Sequence, residues 1–240
     1  MTVVTPALVF VLVFLSAASA ALAVERFPTL PPGAPLPSPA ACVLQVQPYA
    51  EREHRPANAR YNARQGNRIA FIHGASHAYN QRWAPRVDGR FTGTTEQILL
   101  WAACKWGISG DLIRSMAVVE SGWRMDQGGD FTTDVTFCTL IGGRSPCAQS
   151  YGIMQIKVSF HPVWPLARLS TAMNSDYGAA WLRACFVGDF RWLGHSYRAG
   201  DIWGCVGAYY AGEWYSDAAE AYIHRVRQQM IERIWERPDF

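Results

Sequence analysis

Apolar positions along the chain take up a helical rhythm only from residue 94 onward. Thr94 followed by Gln97 has the form of a capping box and opens a helix that runs to Gly107. Ser109 then caps a second helix over GDLIRSMAVVE, with Asp111 in the first turn, where a carboxylate suits the helix dipole. On that helix Ile113, Met116, Ala117 and Glu120 recur at i, i+3, i+4 and i+7, so all four share one face. Gly122 is a natural stop just beyond them. Further helices are predicted over residues 151–158, about 171–186 and 201–211. The last starts near Ser216, where Ala219, Tyr222, Ile223, Val226, Met230 and Ile234 form one stripe. Residues 124–149 are glycine-rich and read as a loop with room for a small hairpin. No strand alternation of useful length appears elsewhere, so the chain reads as mainly α.

Upstream the pattern changes character. Residues 7–23, ALVFVLVFLSAASAALA, are an apolar run too short for a comfortable membrane span. They end in A-x-A sites at Ala20 and Ala23. Residues 1–23 therefore read as a signal peptide; because no Lys or Arg precedes the run, an uncleaved N-terminal anchor is the alternative. Residues 24–41 carry six prolines and read as an extended tether. Residues 42–93 are polar, rich in Arg and Asn, and without a period. They are expected as an irregular N-terminal segment packing on a domain at 94–240.

Composition sharpens this picture in two ways. A net charge of +3 gives no global field of the kind a nucleic-acid partner requires. Six cysteines, at 42, 104, 138, 147, 185 and 205, follow an export signal, which points to disulfides in an oxidising compartment. Cys138 with Cys147 would close a short loop and is the one pairing predicted; the other four cysteines are left open. No C-x-x-C pair or His cluster has metal-ligand spacing, so neither metal nor cofactor is expected. The mature chain is expected to be secreted or held in the cell envelope, monomeric and without a membrane span.

Glu120 is the candidate for chemistry, because an ionisable group closes a buried stripe where a leucine would serve packing better. At the mouth of a core, partial desolvation raises a carboxyl pKa, so that it keeps a proton near neutral pH. The plainer alternatives are a structural glutamate paired with an arginine, or one turned to solvent at a frayed helix end.

Three further stretches follow the helix WGISGDLIRSMAVVESGW in order: YGIMQI at 151–156, NSDYGAAWL at 174–182, and GAYYAG with AYIHRV at 207–212 and 221–226. Together these resemble the lytic transglycosylases of the soluble-lytic-transglycosylase type, relatives of goose-type lysozyme. The matching positions are Glu120-Ser121, Gly152-Ile153-Met154-Gln155, Asn174 with Gly178-Ala179 and Trp181-Leu182, Ala208-Tyr209 with Gly212, and Tyr222-Ile223. They span residues 95–237. Tyr210 stands where the family has an asparagine, Ala218 where some members have an acid, and the Glu120–Gln155 interval is lengthened by the cysteine loop.

The resemblance implies a lysozyme-like α domain with a disulfide-containing loop insertion, acting on peptidoglycan glycan strands. It implies Glu120 as the single acid and base, the substrate's N-acetyl group assisting, and a 1,6-anhydro product formed without water. By register Gln155 would bind the sugar, and Tyr151 and Tyr209 would offer aromatic faces to it. Ser121 would steady Glu120 or end its helix, and Met154 would form groove floor or core. Trp123, Trp214 and Tyr210 read as core residues, and His161, His195 and His224 as structural. The nearest rival is a lysozyme-type hydrolase in which Asp126, Asp130 or Asp134 positions a water. The other rival is a non-catalytic glycan-binding envelope protein.

Overall fold

The computed structural model describes residues 27–49 and 52–240. The expected signal peptide lies outside the described residues. The described residues form ten α-helices, four single-turn 3-10 helices and three two-residue strands, and are mainly helical, as the pattern predicts. In chain order the helices are α1 (Pro39–Val46), α2 (Ala59–Asn62), α3 (His77–Trp83), α4 (Thr95–Trp106), α5 (Gly110–Ser121), α6 (Val135–Leu140), α7 (Leu166–Leu169), α8 (Thr171–Phe186), α9 (Ile202–Ala211) and α10 (Asp217–Glu232). The strands β1 (Gly128–Gly129), β2 (Ser150–Tyr151) and β3 (Ile156–Lys157) pair antiparallel in the order β1-β2-β3. Among the described residues, no helix is long and apolar enough to cross a membrane.

Local signals explain the starts and stops. The Thr94 hydroxyl accepts from the Gln97 N–H while the Gln97 side chain accepts from the Thr94 N–H, completing the capping box of α4. Ser109 accepts from the Leu112 N–H at the start of α5, and the helix ends in Gly122 at φ +61°.

The centre of the fold is α8, buried along its whole length between α4, α7 and α9, while α5 packs on α4 and α10. Burying so polar a helix calls for partners for its charged groups above all. The Asp176 carboxylate accepts from Lys105 Nζ at 2.7 Å, Trp106 Nε1 at 2.6 Å and the N–H groups of Asp88 and Gly89 at 2.9 Å each. Arg183 donates to the carbonyls of Leu30 at 2.5 Å and Pro31 at 2.9 Å.

Those last bonds correct the tether reading of residues 24–41 over the part that is described. The stretch from Phe27 lies on the domain, its Leu30 N–H bonded to the Gly107 carbonyl and its Phe27 carbonyl accepting from Gly110. It then enters α1, capped by Ser38 and with Pro39 in the first turn. A proline-rich sequence is extended, but extended chain docks when a buried guanidinium collects its carbonyls. The following segment, read as irregular, holds α1, α2 and α3 amid loops.

All six cysteines are bonded: Cys42–Cys104, Cys138–Cys147 and Cys185–Cys205. The first ties α1 to α4 and the third ties α8 to α9. The second closes the loop around α6, as the sequence predicts.

The helix expected over residues 151–158 does not form. Gly152 at φ +79° and Gln155 at φ +45° turn the chain back on itself, giving the β2–β3 hairpin. Asn174 of α8 holds that turn: its Nδ2 donates to the Tyr151 and Ala167 carbonyls at 2.8 and 2.7 Å, and its Oδ1 accepts from the Met154 N–H at 2.7 Å. A Cβ at position 152 would lie 2.4 Å from Asn174 Nδ2, so only glycine fits there.

Candidate functional site

The C-terminal turn of α5, the three-stranded sheet and the helices α8, α9 and α10 surround a cleft of about 480 Å³. Glu120 from α5 forms part of its wall. Its carboxylate accepts a hydrogen bond from the Tyr222 hydroxyl of α10. Tyr222 is itself buried, and Tyr210 stacks on it with ring centroids 4.8 Å apart and planes 4° from parallel. The Arg225 guanidinium lies over both rings, at 5.3 and 5.5 Å.

Electrostatics follow from this packing. Burial pushes the Glu120 carboxyl up to about 7 from 4.5. The Tyr222 hydrogen bond and the Arg225 charge oppose the rise, and the charge of Asp130 adds to it. Burial likewise raises the Tyr209 and Tyr222 hydroxyls well above the usual phenol range, so both remain protonated donors. A carboxyl titrating near neutrality in an open cleft can give a proton in one step and take one in the next.

The sheet forms the opposite wall with Gly129, Asp130, Ser150 and Gln155. Gln155 Nε2 donates to the carbonyls of Gly152 at 2.9 Å and Gln127 at 3.2 Å. Asp130, at φ +50°, accepts from the Ser150 hydroxyl at 2.7 Å and pairs with Lys157 at 3.4 Å. Of the three aspartates singled out in the sequence, it alone lines the cleft. Asp126 is exposed outside it, and Asp134 caps α6 by accepting from the N–H groups of Thr136 and Phe137.

The other expected binding residues divide. Tyr209 reaches the cleft, its hydroxyl donating to the Met154 carbonyl at 2.6 Å and its ring edge-on to Trp181 at 5.4 Å. Tyr151 and Met154 do not reach it. The Tyr151 hydroxyl donates to the Ala148 carbonyl and its ring packs on Trp164, while Met154 is fully buried beneath the turn. Both are displaced from the groove because the hairpin, in place of a helix, sends their side chains inward. Ser121 is buried and bridges α5 to the turn, its hydroxyl 3.0 Å from the Ile153 carbonyl.

Tyr210, read as core, is instead 53% exposed at the rim. His161 also lines the cleft, with Nδ1 2.7 Å from the Tyr177 hydroxyl. Burial, and then the neighbouring His73, push it down to about 3, so its ring is neutral. Val119, Ile156, Tyr177, Trp181 and Arg225 also line it, and periodicity alone gives no functional signal for them. Among the described residues, no group of three or more His, Cys, Asp or Glu is placed to hold a metal ion. No family model, curated protein or solved structure matches the chain.

Proposed function

We propose that this protein is an exported lytic transglycosylase with a lysozyme-like domain, cleaving the β-1,4 bond between muramyl and glucosaminyl residues of peptidoglycan. The observation that carries the reading is Glu120: one carboxyl, pushed up to about 7, set in a cleft whose walls are aromatic. Protonated Glu120 gives its proton to the glycosidic oxygen as the C1–O bond breaks. The substrate's own N-acetyl carbonyl supports the cationic sugar. The carboxylate left behind takes the proton of the C6 hydroxyl as that oxygen bonds C1, closing a 1,6-anhydro ring and restoring the acid. Tyr209 and Trp181 offer surfaces for pyranose faces, and Gln155 stands at the sheet edge within reach of their substituents. Three disulfides fit an extracellular or periplasmic site of action.

A second reading is favoured by one observation. Asp130 shares the cleft with Glu120, as the second acid of a water-using glycosidase must. The transglycosylase reading leads because Asp130 Oδ2 is already engaged by Ser150 and Lys157. Mass analysis of products from purified peptidoglycan separates the two, since anhydro and reducing ends differ by one water. Anhydro ends, with Asp130→Asn keeping most of the rate, support the transglycosylase. Reducing ends, with Asp130→Asn slowed by orders of magnitude, replace it with the hydrolase. A folded Glu120→Gln variant with normal turnover removes both.

A further inference from the structure

A second hollow, of about 490 Å³, lies on the far side of the acid, and Val119 and Glu120 belong to both hollows. The groove therefore passes over Glu120, which is what an acid acting on a bond between two sugars requires. Apart from Glu120, the charged side chains lining this second hollow are two guanidiniums, Arg55 and Arg124. Arg55 comes from the segment before α2 and Arg124 from the loop after α5.

Their existing contacts leave donors free. Arg55 Nε donates to the Gly122 carbonyl at 2.8 Å, with the guanidinium 4.0 Å over the Phe240 ring. Arg124 donates from Nε to the Ser121 carbonyl at 3.1 Å and from its Nη2 to Gln127 at 2.9 Å. A guanidinium carries five N–H donors, so most of each fork remains unused. Among the described residues, no carboxylate pairs with either arginine. The nearest acid on the same segment, Glu53, is taken up by the N–H groups of Arg55 and Thr95 and by Asn62. Burial and then the like charge of Arg124 act against the cation on Arg55, while the charge of Glu53 offsets them only in part. An anion between the two would relieve that repulsion.

We propose that Arg55 and Arg124 form a carboxylate subsite at which the groove reads the acidic substituent of the glycan strand. Two sources carry that chemistry: the lactyl carboxylate of a bare muramyl residue, and the carboxylates of its peptide stem. The inference rests on the glycan-cleaving reading above and adds an anionic requirement to it.

The test is a calorimetric titration of the Glu120→Gln protein with three strands of equal sugar number. These are a neutral N-acetylglucosamine oligomer, a glycan stripped of stems by an amidase, and a stem-bearing glycan. At low salt the acidic strands should bind roughly tenfold or more tighter than the neutral one, as charge-assisted bidentate bonds allow. That margin should shrink with added salt and disappear in the Arg55→Gln/Arg124→Gln background. Arg124→Gln alone, at an exposed position, should lose part of it, with the circular dichroism spectrum confirming the fold. A margin already present for the stripped glycan assigns the lactyl carboxylate; a margin confined to the stem-bearing strand assigns the stem. Equal binding of all three strands, indifferent to the arginines, overturns the subsite while leaving the glycan reading standing. Binding of none overturns both.

Discussion

Replacing Glu120 by Gln should make the protein more stable, by a margin that opens as pH rises above 4.5 and is complete above about 7. The carboxyl has a pKa of about 7 in the folded chain against a reference value of 4.5. Between those values the native state holds a proton that the unfolded chain has released. Stability therefore falls as pH rises through this window, and the whole penalty is present above about 7. At about 1.36 kcal/mol per pKa unit, the rise is worth about 3 kcal/mol. Gln keeps an oxygen to accept from Tyr222 but has no proton to lose, so it escapes the penalty. For a chain of this size the gain corresponds to roughly 6–12 °C in melting temperature. Thermal melts of both proteins at pH 5 and pH 8.5 measure it: a small gap at the acid value, opening to several degrees at the alkaline one. The same gap at both pH values would falsify the claim that Glu120 ionises against its surroundings.

Three other perturbations probe the same construction. Tyr222→Phe removes a hydrogen bond that favours the carboxylate, so the Glu120 pKa should rise further. Wild-type activity should decline as pH passes about 7, and the declining limb should sit at higher pH in the variant; an unmoved limb refutes the coupling. Gly129→Ala places a Cβ 2.4 Å from Gln155 Oε1, so the amide must swing away. Strand affinity should fall several-fold with little change in melting temperature, and unchanged affinity removes Gln155 from the binding surface. Replacing Cys42 and Cys104 together by Ser opens a cross-link between residues 62 apart and should cost about 4 kcal/mol in chemical denaturation. A loss near zero would mean that α1 adds nothing to the stability of α4.

The elements legible in the sequence are those decided locally. The Thr94–Gln97 box, the Ser109 cap and the Gly122 stop bracket α4 and α5, and each is satisfied by neighbours within four residues. The 151–158 stretch was not legible, because its apolar Ile153, Met154 and Ile156 suit a helix as well as a hairpin. The decision belongs to Asn174, 20 residues past Met154 and invisible to any local window. The same limit applies to the aspartates. Asp126, Asp130 and Asp134 are equivalent by spacing, and only the pairing of β1 with β2 brings Asp130 to the cleft. His161 reads as structural because its partner Tyr177 is 16 residues away on α8. Residues 27–38 looked like a tether because nothing in a proline-rich run announces that Arg183, some 150 positions later, will collect its carbonyls.

The position of Glu120 also shows why the pKa settles near neutrality rather than at an extreme. Three features discourage the charge: burial, the nearby Asp130, and a place in the last turn of α5, where unsatisfied carbonyls present the negative end of the helix dipole. Two features encourage it: the Tyr222 hydroxyl, and the charge of the Arg225 guanidinium, which sits beside the Tyr210–Tyr222 stack and makes no ion pair with the carboxyl. A direct ion pair would hold the glutamate ionised and leave it no proton to give. Without the tyrosine and the arginine, burial would hold it protonated and leave it no base to offer. The proposed reaction asks one group to donate a proton and then accept one, which suits a carboxyl in which neither form is strongly preferred. Tyr210, standing where the resembling family has asparagine, stacks on Tyr222 from the exposed rim, and so backs the ring whose hydroxyl favours the ionised form of Glu120.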